Sequence, residues 1–528
     1  MHPTPINIGQ QIQLFFDNRM IEFIQALTRR THQPRKHPQN PLIKTDQPWE
    51  KTLFIRTGSV CAAFDPVEQL FKCWYCDLAW DYERFMGRGE AHQVMDEHIA
   101  LGYYETMDNR WLYAESEDGI AWRKPLLDYR TIDGRRTNIC FGREDYRQVS
   151  IASMFLDTLE ADEQRRFKCF HWRQTDGPVG DGTQIRLAHS PDGRTWQVEP
   201  PTVKIGEISE CVIGDEFMIW PEPVRGQYIL NVRQRAMAER HEFMDLPVRL
   251  KDNWEPPTYI DDPLLMNKRR VFMTNSNDLL RWPTLREMVV PSDIDDVIDD
   301  EFYSMPIVRI GDDYIGFLNV LHGTDNTMTV QLMHSRDAFK WRRIDQGRPF
   351  LDVDDSPGSW ERYLVEVGNS VVVRDDGIYI YYGASAMHHD WWMFGEKEGL
   401  DMPDEPGVSK TGMGLATLRP EGFISIDSTV RPGLLLTRPF VSDGSQLLVN
   451  VECAPKGFFE VELSDADDKV IDGYERSSCD RFTGDAARHV VTWRGKPQLP
   501  REVLSTGVKL RFYSQHASLY SFRIAETS

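Results

Sequence analysis

Ser116-Glu-Asp118-Gly-Ile-Ala-Trp122, Ser190-Pro-Asp192-Gly-Arg-Thr-Trp196, Ser276-Asn-Asp278-Leu-Leu-Arg-Trp282 and Ser335-Arg-Asp337-Ala-Phe-Lys-Trp341 are four copies of one signature, Ser-x-Asp-x-x-x-Trp. Tryptophan is only 15 of 528 residues, so four matches do not arise from composition. A repeat of this kind means one supersecondary unit used several times. Ser and Asp side chains bond to nearby backbone groups and close tight turns. The Trp that follows opens the next strand with a large apolar plate. Runs with strand character precede the copies, as in Trp111-Leu-Tyr-Ala-Glu115 and Thr329-Val-Gln-Leu-Met-His334. Strand, polar turn and strand with Trp is a β-hairpin. The copies stand roughly 60 to 90 residues apart, too far for one hairpin and right for a four-stranded sheet with loops; radial repetition of such sheets is a β-propeller.

Ahead of these turns, each unit carries an earlier hairpin. The first strands are Gly58–Pro66, Val149–Asp157, Glu216–Pro223, Glu301–Val308 and Glu366–Val373. The fifth unit lacks the signature, and Met413-Gly-Leu-Ala-Thr-Leu-Arg-Pro-Glu-Gly-Phe423 takes its place as a decayed copy with Phe for Trp. Five first hairpins and five second hairpins predict five blades across 51–430. Residues 1–50, which end in the Pro- and base-rich Thr31-His-Gln-Pro-Arg-Lys-His-Pro-Gln-Asn-Pro41, read as an extended arm packing on the propeller. From 431 to 528 short alternating strands separated by polar and Gly turns read as an antiparallel β-sandwich. The expected class is therefore all-β, a five-bladed propeller followed by a sandwich.

Charge and composition narrow the partners. Lys plus Arg number 61 against 82 Asp plus Glu, a formal charge of −21, which repels phosphate backbones and argues against nucleic acid. No apolar run approaches the ~18 residues of a membrane span, and Met1-His-Pro-Thr-Pro5 does not open a secretory signal. The expected location is cytoplasmic, and a homo-oligomer is compatible with all of this. The eight cysteines have no framework spacing. Cys73-Trp-Tyr-Cys76 lies in a strand-like run, where residues three apart face opposite ways and cannot share a metal or a disulfide. No metal or cofactor motif stands out, although a structural calcium ion fits the reading.

Four tryptophan turns on a five-unit repeat, followed by a β-sandwich, resemble glycoside hydrolases of families 32 and 43; Tyr379-Ile-Tyr-Tyr-Gly-Ala384 is similar to a late-blade segment of the family 130 mannoside phosphorylases. The Asn-Asp-Pro-Asn type of segment that carries the nucleophile in family 32 is missing, since Asp65-Pro66 falls in the turn of the first hairpin. The resemblance implies a carbohydrate substrate and a glycosidase, exo-acting on a terminal sugar. The alternatives are a glycoside phosphorylase or a non-catalytic carbohydrate-binding propeller.

First strands of propeller blades line a common funnel, so their opening residues converge. Asp215-Glu216-Phe-x-x-x-Pro221 matches Asp300-Glu301-Phe-x-x-x-Pro306, and Glu301 precedes Tyr314 by the interval that separates Glu366 from Tyr379. Glu216, Glu301 and Glu366 thus align on blades three, four and five, with Asp215 and Asp300 beside two of them. Glycoside cleavage needs one carboxylic acid to protonate the leaving oxygen and a carboxylate opposite it. A third acid can hold its neighbour protonated. Glu301, in Asp-Glu-Phe-Tyr-x-Met-Pro, most resembles the family 43 acid strand and is the first choice for proton donor; Glu216 and Glu366 remain equal for the opposing role. Candidate substrate-binding groups are Arg173, Arg233 and His322 at matching second-strand ends. His389, Trp391 and Trp392 in the loop His388-His-Asp-Trp-Trp392 join them.

Overall fold

The computed structural model describes residues 4–51, 53–55, 59–77, 110–142, 152–174, 183–206, 216–237, 267–289, 296–297, 300–389 and 410–526. Among them the strands fall into antiparallel meanders that we number as blades. Blade 1 is Val60–Asp65, Leu70–Asp77, Arg110–Ser116 and Ile139–Gly142. Blade 2 is Ala152–Leu156, Phe167–Gln174, Thr183–Ser190 and Gln197–Thr202. Blade 3 is Phe217–Glu222, Gln227–Met237, Asn267–Ser276 and Arg286–Val289. Blade 4 has a split first strand, Asp300–Phe302 and Ile307–Ile310, then Asp313–His322, Thr327–Ser335 and the short Arg342–Arg343 and Pro349–Leu351. Blade 5 is Leu364–Arg374, Gly377–Ser385 and Thr411–Leu418, and its outer strand is Arg35–Lys36 from the N-terminal arm.

The sequence pattern follows position in the blade. The second strand Leu70-Phe-Lys-Cys-Trp-Tyr-Cys-Asp77 is buried along nearly its whole length. It lies between strands of its own sheet and between two neighbouring sheets, so it reads as continuous rather than alternating. The outer strand Gln197–Thr202 has no fully buried residue. Cys73 and Cys76 are fully buried, in separate apolar clusters on the two faces of their strand, as the two-residue period requires.

The first strands meet at a hub. Asn369 of blade 5 bridges to Cys61 of blade 1 in parallel register. Its side-chain amide donates to the carbonyls of Met154 in blade 2 and Ile219 in blade 3, at 3.3 and 3.2 Å. In blade 4, Asn319 donates to the Val367 carbonyl and accepts from the Val367 N–H, both at 2.9 Å.

The signature turns staple each blade to the one before. Asp118 accepts the N–H groups of Ile120 and Ala121 while Ser116 accepts that of Gly119. Asp192 and Ser190 repeat this on Arg194, Thr195 and Gly193, and Asp337 takes Phe339 and Lys340. The blade 1 turn then docks on blade 5, where the Tyr381 hydroxyl donates to the Gly119 carbonyl and Trp122 meets the Tyr381 ring edge-on. The blade 2 turn docks on blade 1, with Trp74 Nε1 donating to the Gly193 carbonyl at 2.7 Å. Trp282 of blade 3 packs edge-on against Phe170 of blade 2. Arg225 of blade 3 donates to the Asp337 carbonyl of the blade 4 turn. Phe423 reproduces the contact for blade 5 by packing on Phe317 and Phe350 of blade 4.

The C-terminal residues build a ten-stranded sheet around the long strand Val508–Ala525, which pairs with Gln446–Asp465. Bulges at Asn450/Val451 and between Cys453 and Phe458 break the register of that pair, the local device that bends strands and sharpens their twist. Four strands of the N-terminal arm belong to this sheet: Ile6–Asn7 beside Phe440–Val441, Gln13–Leu14 beside Val508–Ala525, Ile21–Gln25 beside Gly433–Thr437 and Leu27–Thr31 beside Ile424–Ser428. One apolar cluster runs from Phe15 and Phe16 of the arm through Phe317 and Val367 of the propeller to Phe512 and Phe522 of the sheet. Beyond the core, Asp17 of the arm forms a two-point ion pair with Arg336 of blade 4, and Phe16 stacks on His334 at 4.7 Å. Among the described residues no helix is long and apolar enough to cross a membrane.

Candidate functional site

Parallel first strands open their starting residues toward one end of the hub. Glu216 and Glu366 lie three residues before Ile219 and Asn369, and those two residues are hydrogen-bonded to each other. Glu216 thus precedes the hub contact on blade 3 and Glu366 the hub contact on blade 5, where the first strand is irregular between Val367 and Val371. Both acids are buried, at 7% and 1% exposure. Glu301 opens the first strand of blade 4, opposite Leu321, and is 5% exposed.

The side chains around Glu301 form a compact cluster. Arg269, from the third strand of blade 3, pairs its guanidinium with Glu301 Oε2. The same guanidinium lies 5.1 Å from the centre of the Tyr303 ring, and that of Arg233 lies 4.7 Å from it. Such cation–ring contacts strengthen when desolvated, and both arginines are only 8% exposed. The Tyr303 hydroxyl reaches His389 Nε2 at 2.6 Å. Arg233 ties this group back to Glu216, because its backbone N–H donates to the Glu216 carbonyl at 2.8 Å. Glu216, Arg233, Arg269, Glu301, Tyr303 and His389 thus belong to one connected neighbourhood on blades 3 to 5.

Asp300 and His322 form a brace behind it. His322 Nδ1 bonds Asp300 Oδ1 at 2.8 Å and its Nε2 bonds Thr329 Oγ1 at 2.9 Å. The other Asp300 oxygen accepts the Val297 N–H. Three strands of blade 4 are locked together at the level of Glu301 by this chain. His388 is buried and meets the Tyr363 ring edge-on at 5.9 Å. Arg173 sits opposite Gln184 near the end of the second strand of blade 2; its side chain lies outside the described residues, as do Asp215, Trp391 and Trp392. Asp65 is spent elsewhere: it is fully buried and ion-paired with Arg166 and Lys72.

Sequence reading does not single out Arg269 and Tyr303. Tyr303 follows the aligned Asp-Glu-Phe two residues after Glu301, so strand parity puts it on the same side as that acid, but blade 3 carries Met218 rather than an aligned Tyr there to mark it. Arg269 sits in Asn267-Lys-Arg-Arg270, a basic opening of a third strand, which carries no local sign of facing the hub. Its neighbour Arg270 is 1% exposed and donates to the Asp300 carbonyl at 3.1 Å. Two consecutive arginines opening a strand of an acidic chain are the available signal.

No protein-family profile matches the chain, and no curated protein does. Among solved structures it is similar to a glycosyl hydrolase from Bacteroides ovatus (12% identity, TM-score 0.43, covering 74% of this chain and 94% of that one). A structure described under the family 130 mannoside phosphorylases, and glycoside hydrolases acting on β-1,2 mannosidic linkages, matches at 13% identity and a TM-score of 0.41, covering 74% and 94%. An N-acetylgalactosamine deacetylase from F. plautii, in complex with blood group B trisaccharide, matches at 12% and 0.43, covering 75% and 96%. Likenesses this distant bring neither an activity nor a family to the chain, and the architecture rests on its own strand pairing.

Proposed function

We propose that the protein is a glycoside hydrolase acting on a terminal sugar of an oligo- or polysaccharide through paired carboxylates at the propeller hub. The observation that carries the reading is the Glu301–Arg269 ion pair, set at the end of the hub where Glu216 and Glu366 also open first strands. A guanidinium partner favours the ionised form of a carboxyl group. Glu301 in this pair is suited to the carboxylate role, nucleophile or base, more than to the proton-donor role its sequence context favours. The donor is then Glu216 or Glu366, the other two acids of the aligned set. Tyr303 and His389 offer a hydroxyl and an imidazole to sugar hydroxyls, and Asp300 with His322 holds the strand that carries Glu301. The outcome at the anomeric carbon follows from the carboxyl separation, roughly 5 Å for retention and 6.5–9.5 Å for inversion.

The test is turnover of a panel of aryl glycosides by wild type, Glu301→Gln, Glu216→Gln and Glu366→Gln. Undiminished turnover in Glu301→Gln overturns the role of Glu301. A wild type that binds glycans without turning any over selects a carbohydrate-binding propeller. One observation favours a second reading: Arg233 and Arg269 converge on Tyr303, and a cationic pair beside the acids is what a phosphorylase needs to hold phosphate in place of water. Turnover that requires inorganic phosphate selects it.

A further inference from the structure

Away from the hub, a cavity of about 390 Å³ opens where the N-terminal arm crosses the outer edge of blade 4. Its volume lies within the roughly 300–1,000 Å³ range of small-molecule sites. Arg30, His32 and Gln33 line it from the arm, and Asp345 and Arg348 line it from blade 4. The floor is apolar, made by Leu332, Ile344 and Phe350, all buried.

The charges of this lining are unusual for so acidic a chain. Two arginines, Arg30 and Arg348, and one aspartate, Asp345, are among its lining residues. Among the described residues the Arg348 side chain has no hydrogen-bond or ion-pair partner, and only its backbone N–H is engaged, with the Asp345 carbonyl. Arg30 has one acidic neighbour, Asp427, at 3.9 Å, the outer limit of an ion pair. Asp427 is itself held by the Ser425 hydroxyl. His32 adds little charge: burial pulls its imidazole below the ordinary value, and Nε2 is bonded to Ser425 at 2.7 Å. Two arginines from separate parts of the chain are therefore set on one cavity without strong protein partners, and guanidinium groups in that arrangement match a carboxylate. Asp345 repels a bare anion but accepts from hydroxyl groups. The apolar side chains of Leu332, Ile344 and Phe350 close the cavity on its inner side.

We infer that the cavity between the arm and blade 4 is a second carbohydrate site, specific for a sugar acid, in which Arg30 and Arg348 hold the carboxylate and Asp345 accepts from ring hydroxyls. The inference does not depend on the catalytic reading of the hub. It places a recognition element for uronic-acid residues on the flank of the propeller, where a longer chain could be held while another part of it reaches the hub.

Isothermal titration with sodium D-glucuronate and sodium D-galacturonate tests it, with D-glucose and inorganic phosphate as comparators. The expected result is that at least one uronate binds wild type, while Arg30→Ala and Arg348→Ala each weaken binding by about tenfold, as loss of a charge-assisted contact does. Both side chains are at the surface, so the variants keep the fold. Glu301→Gln is expected to keep uronate binding whatever happens to turnover, which separates this site from the hub. Five results would overturn the inference: no uronate binding; glucose binding as tight as uronate; phosphate binding as tight as uronate, which makes this a bare anion site; uronate binding that survives the double arginine variant; or uronate binding that is lost in Glu301→Gln.

Discussion

The rim and the hub of the propeller solve opposite problems with the same kinds of side chain. At the rim, Asp118, Asp192 and Asp337 accept backbone N–H groups from residues two and three further on. These carboxylates stay close to water and are satisfied by their own turn. At the hub, Glu301 is buried and takes a guanidinium from a different blade. Removing water from a carboxylate costs several kcal/mol unless a partner compensates, so a hub acid needs long-range partners and a rim acid does not. The rim is thus locally determined, while the hub is assembled from distant parts of the chain.

That contrast is open to direct attack. Glu301→Gln is expected to reduce turnover by roughly 10²- to 10⁴-fold and also to lower the thermal midpoint, because it takes the carboxylate from the buried Arg269 guanidinium; kcat per folded molecule, read beside a thermal melt, separates the two effects. Trp74→Ala, at the rim contact with Gly193, is expected to cost about 3–5 kcal/mol of stability. Denaturant unfolding measures that loss, and kcat per folded molecule should stay at the wild-type value. Gly193→Ala sharpens the same contact. Gly193 has φ +73°, and a Cβ there would lie 2.6 Å from the Trp74 ring, so a loss of about 1–3 kcal/mol is expected from strain and overpacking. Asp337→Ala removes the acceptor for two N–H groups and should cost about 1 kcal/mol, seen as a shifted midpoint with unchanged slope.

The smallest effect is a pH dependence where the arm meets blade 4. Burial alone would raise the Asp17 carboxyl, but the hydrogen bond from Arg336, the Arg19 N–H and nearby positive charge outweigh it and bring the pKa to about 2. A carboxyl with a depressed folded-state value stabilises the fold above its unfolded value and loses that contribution as pH falls through the folded one. The Asp17 contribution should therefore fade between about pH 4 and pH 2. Asp17→Asn should flatten that part of the stability profile, measured by unfolding at a series of pH values.

The same division explains what could be read in advance. The tryptophan turns are legible because Ser, Asp and Trp do their work within seven residues, and even the Phe423 substitute is recognisable by its place in the repeat. Glu216, Glu301 and Glu366 could be aligned because the turns set the phase of each blade. Arg269 could not, since nothing local in Asn267-Lys-Arg-Arg270 tells which strand end will face Glu301. The arm shows the same limit. Thr31 to Pro41 reads as an extended stretch, yet which edges its flanking strands join depends on sheets that are complete only hundreds of residues later. The two arginines of the flank cavity, Arg30 and Arg348, line one cavity for the same reason.

The strand Arg35–Lys36 closes blade 5, and the strands before it belong to the C-terminal sheet. During synthesis these residues leave the ribosome long before the strands they pair with. Blades 1 to 4 can form in order as they emerge, but the ring cannot be sealed until blade 5 and the C-terminal sheet are free. Such distant pairing is slow and leaves strand edges uncovered meanwhile. The arm must therefore wait without a partner, and the Pro and basic residues within it are of the kind that keeps an exposed edge from pairing with the wrong neighbour.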